Sequence, residues 1–452
     1  MTLRPGRVLV LATTTGYQTR AFGDAAKRLG VELVFATDRC HLIEDPWQDG
    51  AVPIRFYDED ASVAAILASA EARPIDGIVV VGDRPAVIAA RVARELGLPW
   101  HPPEAAAIAT HKLRTRERLR DAGLPVPRWR AIALDSPGDD RFEYPCVVKP
   151  VALSGSRGVM RADDAAGFAA ALDRLRRLMG SAEVRAERNA AHGTALVESF
   201  IPGRECAIEA LMHHGELQVL AIFDKPDPLD GPFFEETIYV TPSRADEREQ
   251  RAIAAAIARA AAAIGLHHGP IHAECRINSG GIFVLEIAPR PIGGLCARAL
   301  AFRTVADNSI NQSTATNQSI PQSTIRNQSA ISNQQSAILF EDLLLRHAAG
   351  EDTRAWRREA QASGVMMIPI PRRGIYRGVA GVDEAGAVPH VDDVQITAKI
   401  DQLLVPLPEG ASYLGFIFAR AAAVADVEGA LRTAHERLVF TVAPEFPVLT
   451  GA

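Results

Sequence analysis

Cysteine is scarce: Cys40, Cys146, Cys206, Cys275 and Cys296 are the five in 452 residues, dispersed and without a Cys-x-x-Cys. That excludes a disulfide framework and a zinc knuckle, and it fits a reducing cytoplasm. Long apolar runs are missing too, because Arg, Asp or Glu interrupts each one before about 18 residues have passed, so no membrane span is expected. The apolar stretch between Arg7 and Thr13 is short and has no small-residue cleavage site after it, which argues against a signal peptide. Positive charge is not in excess: 49 Lys and Arg stand against 55 Asp and Glu, a net charge of -6. A nucleic-acid backbone is therefore not expected as the main partner. Neither G-x-x-x-x-G-K-[ST] nor G-x-G-x-x-G occurs, so phosphate binding needs another device.

What is there begins with strand and helix patterns in alternation: Val8 to Ala12, a helix over Ala21 to Leu29, Val31 to Ala36, a helix near Ser62 to Ala70, Gly77 to Val81, and a helix over Ala86 to Leu96. This predicts an α/β domain with a parallel sheet over residues 1–105, closed by the proline-rich Leu98 to Pro103. From Pro145 the pattern changes to paired strands joined by hairpin signals, an α+β unit with antiparallel sheets over 106–355. An Ala-rich helix is expected over Glu247 to Ile264. Residues 356–452 read as a small third α+β domain, with a helix over about Val427 to Arg437 capped by Asp426. Within the middle unit, 21 of the 30 residues from 308 to 337 are Asn, Gln, Ser or Thr. Such a segment buries too little apolar area to offset chain entropy and is expected to be a disordered low-complexity insertion.

Three segments carry chemistry. Lys149 ends a buried strand just before the loop Ser154, Gly155, Ser156, Arg157, Gly158, whose amides can turn toward phosphate oxygens. Glu198, Ser199 and Ile201 precede Glu205 across an extended crossover suited to the edge of a purine and to ribose hydroxyls. Glu274 and Glu286 lie on the two strands of one hairpin. A three-residue turn, Ser279 to Gly281, would set them directly opposite on one face, where two buried carboxylates require a cation or a shared proton; an even turn would send them to opposite faces. Mg²⁺ suits such hard oxygens. Taken singly, each segment is explained as well by a plain turn or by solvated charges, and the basic helix after Lys112 reads as an ordinary solvated face. The loop from Asp224 to Thr237 is balanced between a pocket lid and plain surface.

Read in order, Lys112, Lys149, SGSRGV, ESFIPGRE, HAECR and LEIAPRPIGG resemble the ATP-grasp ligases across roughly residues 1–350. DGPFFEETIYVTPSR, RPIGGLCARAL and SYLGFIFARA look like the carboxylate-amine ligase branch that includes L-amino acid ligases. The resemblance implies an ATP-grasp domain over 106–355 with a lid subdomain at 145–200. It further implies that Lys112 and Lys149 hold ATP phosphates and that Ser154 to Gly158 close over the γ-phosphate. Glu198, Ser199 and Ile201 would bracket adenine, Glu205 would accept the ribose hydroxyls, and Glu274 and Glu286 would hold Mg²⁺. Catalytic roles would fall to Arg290, Lys149 and Arg157. Where many members place Asn two residues after the second metal glutamate, this chain has Ala288. The implied reaction activates a carboxylate, an amino acid, as an acyl phosphate and passes it to an amine, releasing ADP and phosphate. The alternatives are a carboxylase, a formate-dependent purine-type enzyme, or an ATP-binding protein without turnover. Partners would be small carboxylate and amine substrates, with homodimerisation the superfamily habit.

Overall fold

The computed structural model describes residues 6–13, 16–38, 51–135, 142–304 and 337–445. The reading of 308–337 as an insertion thus lies outside the described residues, apart from Ala337.

Arg7–Ala12, Glu32–Thr37 and Gly77–Val81 are nearly continuous apolar runs, the pattern of strands covered on both faces. They pair in parallel, in the order Ala51–Pro53, Glu32–Thr37, Arg7–Ala12, Gly77–Val81. Ala51–Pro53 escapes a sequence reading because three residues show no periodicity, and its proline is tolerated only because the strand is an edge. Asp83 follows the C-terminal end of Gly77–Val81, the end of a parallel sheet at which ligands bind.

The central sheet has eight antiparallel strands. Their order is Gly281–Ala288, Gly269–Asn278, Arg204–His213, Glu216–Asp224, Ile238–Thr241, Ala362–Ile368, Gly415–Ala421 and Val391–Ile396. The C-terminal unit is therefore not detached: its strands prolong the same sheet through Ile238–Thr241, which pairs Ile238 with Met366 and Thr241 with Ser363. Behind the sheet lies the helix Glu247–Ile264, which starts where the Asp246 carboxylate accepts from the Glu249 amide at 2.8 Å and stops at left-handed Gly265. Its Ile253, Ile257, Ala260, Ala261 and Ile264 recur at helical spacing and are buried against the sheet. The last helix, Val424–Glu436, starts two residues before its expected cap: Ala423 is the N-cap, and Asp426 sits in the first turn, where its charge complements the helix dipole.

A separate four-stranded sheet forms the lid, in the order Trp129–Ala133, Thr194–Ser199, Cys146–Pro150, Met160–Ala162, backed by the helix Ala165–Met179. Trp129–Ala133 joins this sheet by pairing with Thr194–Ser199 along the edge that Cys146–Pro150 leaves open. Among the described residues no helix is long and apolar enough to cross a membrane.

Candidate active site

The hairpin of Glu274 and Glu286 has a two-residue turn, since Asn278 pairs with Gly281. By parity alone the two glutamates would then fall on opposite faces. A bulge corrects the register: Cys275 pairs with Val284, Glu274 pairs with Glu286, and Leu285 is the extra residue between them. The expected juxtaposition holds by a route different from the one expected.

What fixes the bulge is Arg116, on the helix Lys112–Asp121. This side chain belongs to the helix read as a solvated basic face, yet it is fully buried. Its guanidinium donates to the Val284 carbonyl at 3.1 Å, to the Leu285 carbonyl at 2.6 Å and to Glu198 Oε1 at 2.5 Å. The second Glu198 oxygen meets Lys149 Nζ at 2.5 Å. Burial alone would raise the Glu198 carboxyl, but Arg116 and Lys149 outweigh it and hold it below the usual range. Lys149 is lowered to about 8, chiefly by burial and against the pull of Glu198.

Lys225, in the loop left undecided by the sequence, is buried beneath the cleft. Its Nζ meets Glu205 Oε1 at 2.8 Å, Glu274 Oε1 at 3.1 Å, and Glu236. These three carboxylates form a cluster whose oxygens lie within 4.8 Å of one another, and the Lys225 ammonium sets one positive charge among them. The other Glu205 oxygen accepts from Arg276 Nε at 2.8 Å. Burial and Glu274 raise Glu236 to about 7 against the opposing effect of Lys225. Glu209, also unforeseen, is fully buried, pairs with His272 Nδ1 and accepts from the Ile292 amide at 3.1 Å, which fixes the turn after Arg290.

Arg290 donates to Asp83 at 2.7 and 3.2 Å, bringing the N-terminal domain to the cleft. Lys112 Nζ donates to the Leu153 carbonyl at 2.5 Å and lies 3.6 Å from Glu286. Lys112, Lys149, Ser154, Gly155 and Ser156 border one cleft of about 1170 Å³ together with Glu198, Ser199, Ile201 and Glu205. Glu274, Glu286 and Arg290 border it as well. Arg157 and Gly158 do not. The Arg157 guanidinium turns away to a paired contact with Glu183 at 3.0 and 2.9 Å and to the Glu409 carbonyl at 2.8 Å. These bonds engage three of the five guanidinium N–H donors and hold the side chain outside the cleft lining, apart from the expected site residues that border it.

Three domain families match in chain order: the ATP-grasp N-terminal domain over residues 23–100, the ATP-grasp domain over 142–299, and the L-amino acid ligase C-terminal domain 2 over 366–443. The chain belongs to the ATP-grasp superfamily. An ATP-grasp enzyme of Aspergillus fumigatus is 27% identical over 316 residues, covering 60% of this chain and 53% of that one. Carnosine synthase 1 of Mus musculus is 28% identical over 321 residues, covering 66% and 38%. This ATP-grasp chain thus spans about half the length of the fungal relative and less of the mouse one. The L-amino acid ligase of Bacillus licheniformis shares the ATP-grasp fold, with a TM-score of 0.74 at 23% identity over 97% of this chain and 100% of that one.

Lys149 also makes the cleft sensitive to pH. A phosphate seated against Lys149 would favour its charged form, so nucleotide affinity is expected to be level below pH 8 and to fall as pH rises through about 8, where the free site loses its proton. Titration with a fluorescent ATP analogue between pH 7 and 9.5 should show this decline, and Lys149→Met should bind weakly with a flat profile.

Proposed function

We propose that this protein is an ATP-dependent ligase that converts a carboxylate, an amino acid, into an acyl phosphate and joins it to an amine, releasing ADP and phosphate. One observation carries the reading: a single cleft gathers two lysines, a glycine-rich loop, a facing glutamate pair and an arginine from segments as far apart as Lys112 and Arg290.

Lys112 and Lys149 hold the charge of the nucleotide tail, and the amides of Ser154 to Ser156 cover its outer phosphate. Ser199 and Ile201 border the region assigned to adenine, and Glu198 and Glu205 lie beside it, anchored by Arg116 and by Lys225 with Arg276. Glu274 and Glu286 suit Mg²⁺: their side chains are 20% and 26% exposed toward the cleft, and the pair offers only hard oxygen donors. When bound there, Mg²⁺ neutralises phosphate oxygens. Arg290, oriented by Asp83, steadies the substrate carboxylate and the negative charge of the acyl phosphate. The carboxylate oxygen attacks the γ-phosphorus and ADP leaves. The amine nitrogen then attacks the acyl carbon, phosphate leaves and the nitrogen loses a proton. A closed loop over residues 154–158 excludes water, which would otherwise consume the intermediate.

An ADP-release screen over pairs of amino acids and amines tests this. The expected result is ADP formation that needs Mg²⁺ and both co-substrates, with a stoichiometric amide product. Turnover that needs bicarbonate or formate in place of the amino acid would replace the reading with a carboxylase or formyl-type enzyme.

A further inference from the structure

The lid does not close over the cleft unaided. Three contacts from it converge on one short stretch of the C-terminal unit, residues 406–410. The Gly158 amide donates to the Pro408 carbonyl at 2.8 Å. Arg157 Nε donates to the Glu409 carbonyl at 2.8 Å. Arg174, on the lid helix Ala165–Met179, grips the Glu409 carboxylate with Nε and, at 2.8 Å, with Nη2. The receiving turn is shaped for this: the Gly410 amide closes on the Pro406 carbonyl at 2.9 Å, and a Cβ at Gly410 would stand 1.8 Å from the Val405 carbonyl, so only glycine fits. Immediately after it, Ala411, Ser412 and Tyr413 form part of the wall of the cleft that Ser154 to Ser156 also line.

We propose that Glu409 is a positioning residue: through Arg174, and beside the carbonyls of Pro408 and Glu409, it holds the glycine loop over the nucleotide phosphates. The nucleotide part rests on the ligase reading; the clasp itself does not. Because residues 411–413 continue from the clasp, the same segment that walls the cleft fixes the loop that covers the phosphates. A co-substrate seated against that wall therefore meets a loop already in place. The Arg174–Glu409 pair is about one-third exposed, at 37% and 34%, so its loss should leave the fold intact while loosening the loop.

Trypsin reads the clasp without any turnover, since Arg157 offers a cleavage site inside the glycine loop and is only 9% exposed. Glu409→Ala should be cut after Arg157 about 5-fold faster than the parent chain, and the exchanged pair Arg174→Glu with Glu409→Arg should restore protection. In the same variants the KM for ATP should rise about 5-fold, ADP release without amine should increase, and the exchanged pair should reverse both. Unchanged cleavage in Glu409→Ala, or no recovery in the exchanged pair, overturns the clasp. Faster cleavage with an unchanged KM for ATP overturns its positioning role. Absence of ADP formation from the parent chain with every co-substrate pair would defeat the ligase reading and, with it, the nucleotide part, while the trypsin result would still decide the clasp.

Discussion

Glu286→Ala lowers ADP formation by about 1,000-fold, close to 4 kcal/mol of transition-state stabilisation, while the unfolding temperature stays within a few degrees of the parent. The two halves of this expectation have separate grounds. Glu286 stands directly opposite Glu274, and its removal leaves Glu274 as the one remaining carboxylate of the facing pair. Its contacts with the rest of the chain are weak: Lys112 at 3.6 Å, Arg290 at 4.0 Å, and a side chain 26% exposed. Long ion pairs at a wet surface contribute little to stability. Steady-state ADP release at saturating Mg²⁺, set beside a thermal melt, checks both halves. Activity within 10-fold of the parent would remove Glu286 from the metal-binding role, and a large fall in melting temperature would make the loss of activity one of folding. Glu286→Gln, which keeps the shape but not the charge, should be nearly as inactive as the alanine variant.

The N-terminal parallel sheet was legible because buried parallel strands leave near-continuous apolar runs, and the helix Glu247–Ile264 because cap, periodicity and terminal glycine agree. Ile238–Thr241 was not: four residues carry too little periodicity to mark the strand that joins the C-terminal unit to the sheet. At the site, residue types and order could be read, but the register of the glutamate pair could not. Parity argued from the turn gives the wrong answer for a two-residue turn, and the bulge that reverses it has no signature in Val284-Leu285-Glu286. Arg116 was hidden by its neighbours, since Arg114, Glu117, Arg118 and Arg120 make its helix look solvated on every side. Lys225 and Glu209 were missed for a related reason. Their meaning comes from partners 11 to 83 residues distant, which only the fold brings near.

Arg116→Lys destabilises the protein by about 3–5 kcal/mol, even though it keeps the charge. The guanidinium serves three acceptors in different directions: Glu198, the Val284 carbonyl and the Leu285 carbonyl. A shorter ammonium with one nitrogen cannot reach all three, and each buried carbonyl left unpaired costs about 1–3 kcal/mol. Urea unfolding of Arg116→Lys and Arg116→Met measures the loss, and a cost below about 1 kcal/mol for the lysine variant would show that charge alone suffices. The consequence extends beyond stability, because the two carbonyls belong to the bulge that turns Glu286 toward Glu274. A lysine variant that still folds should therefore need more Mg²⁺ for half-maximal ADP formation, by about 10-fold. A buried arginine that never meets the nucleotide would then govern metal affinity by holding one extra residue in a strand.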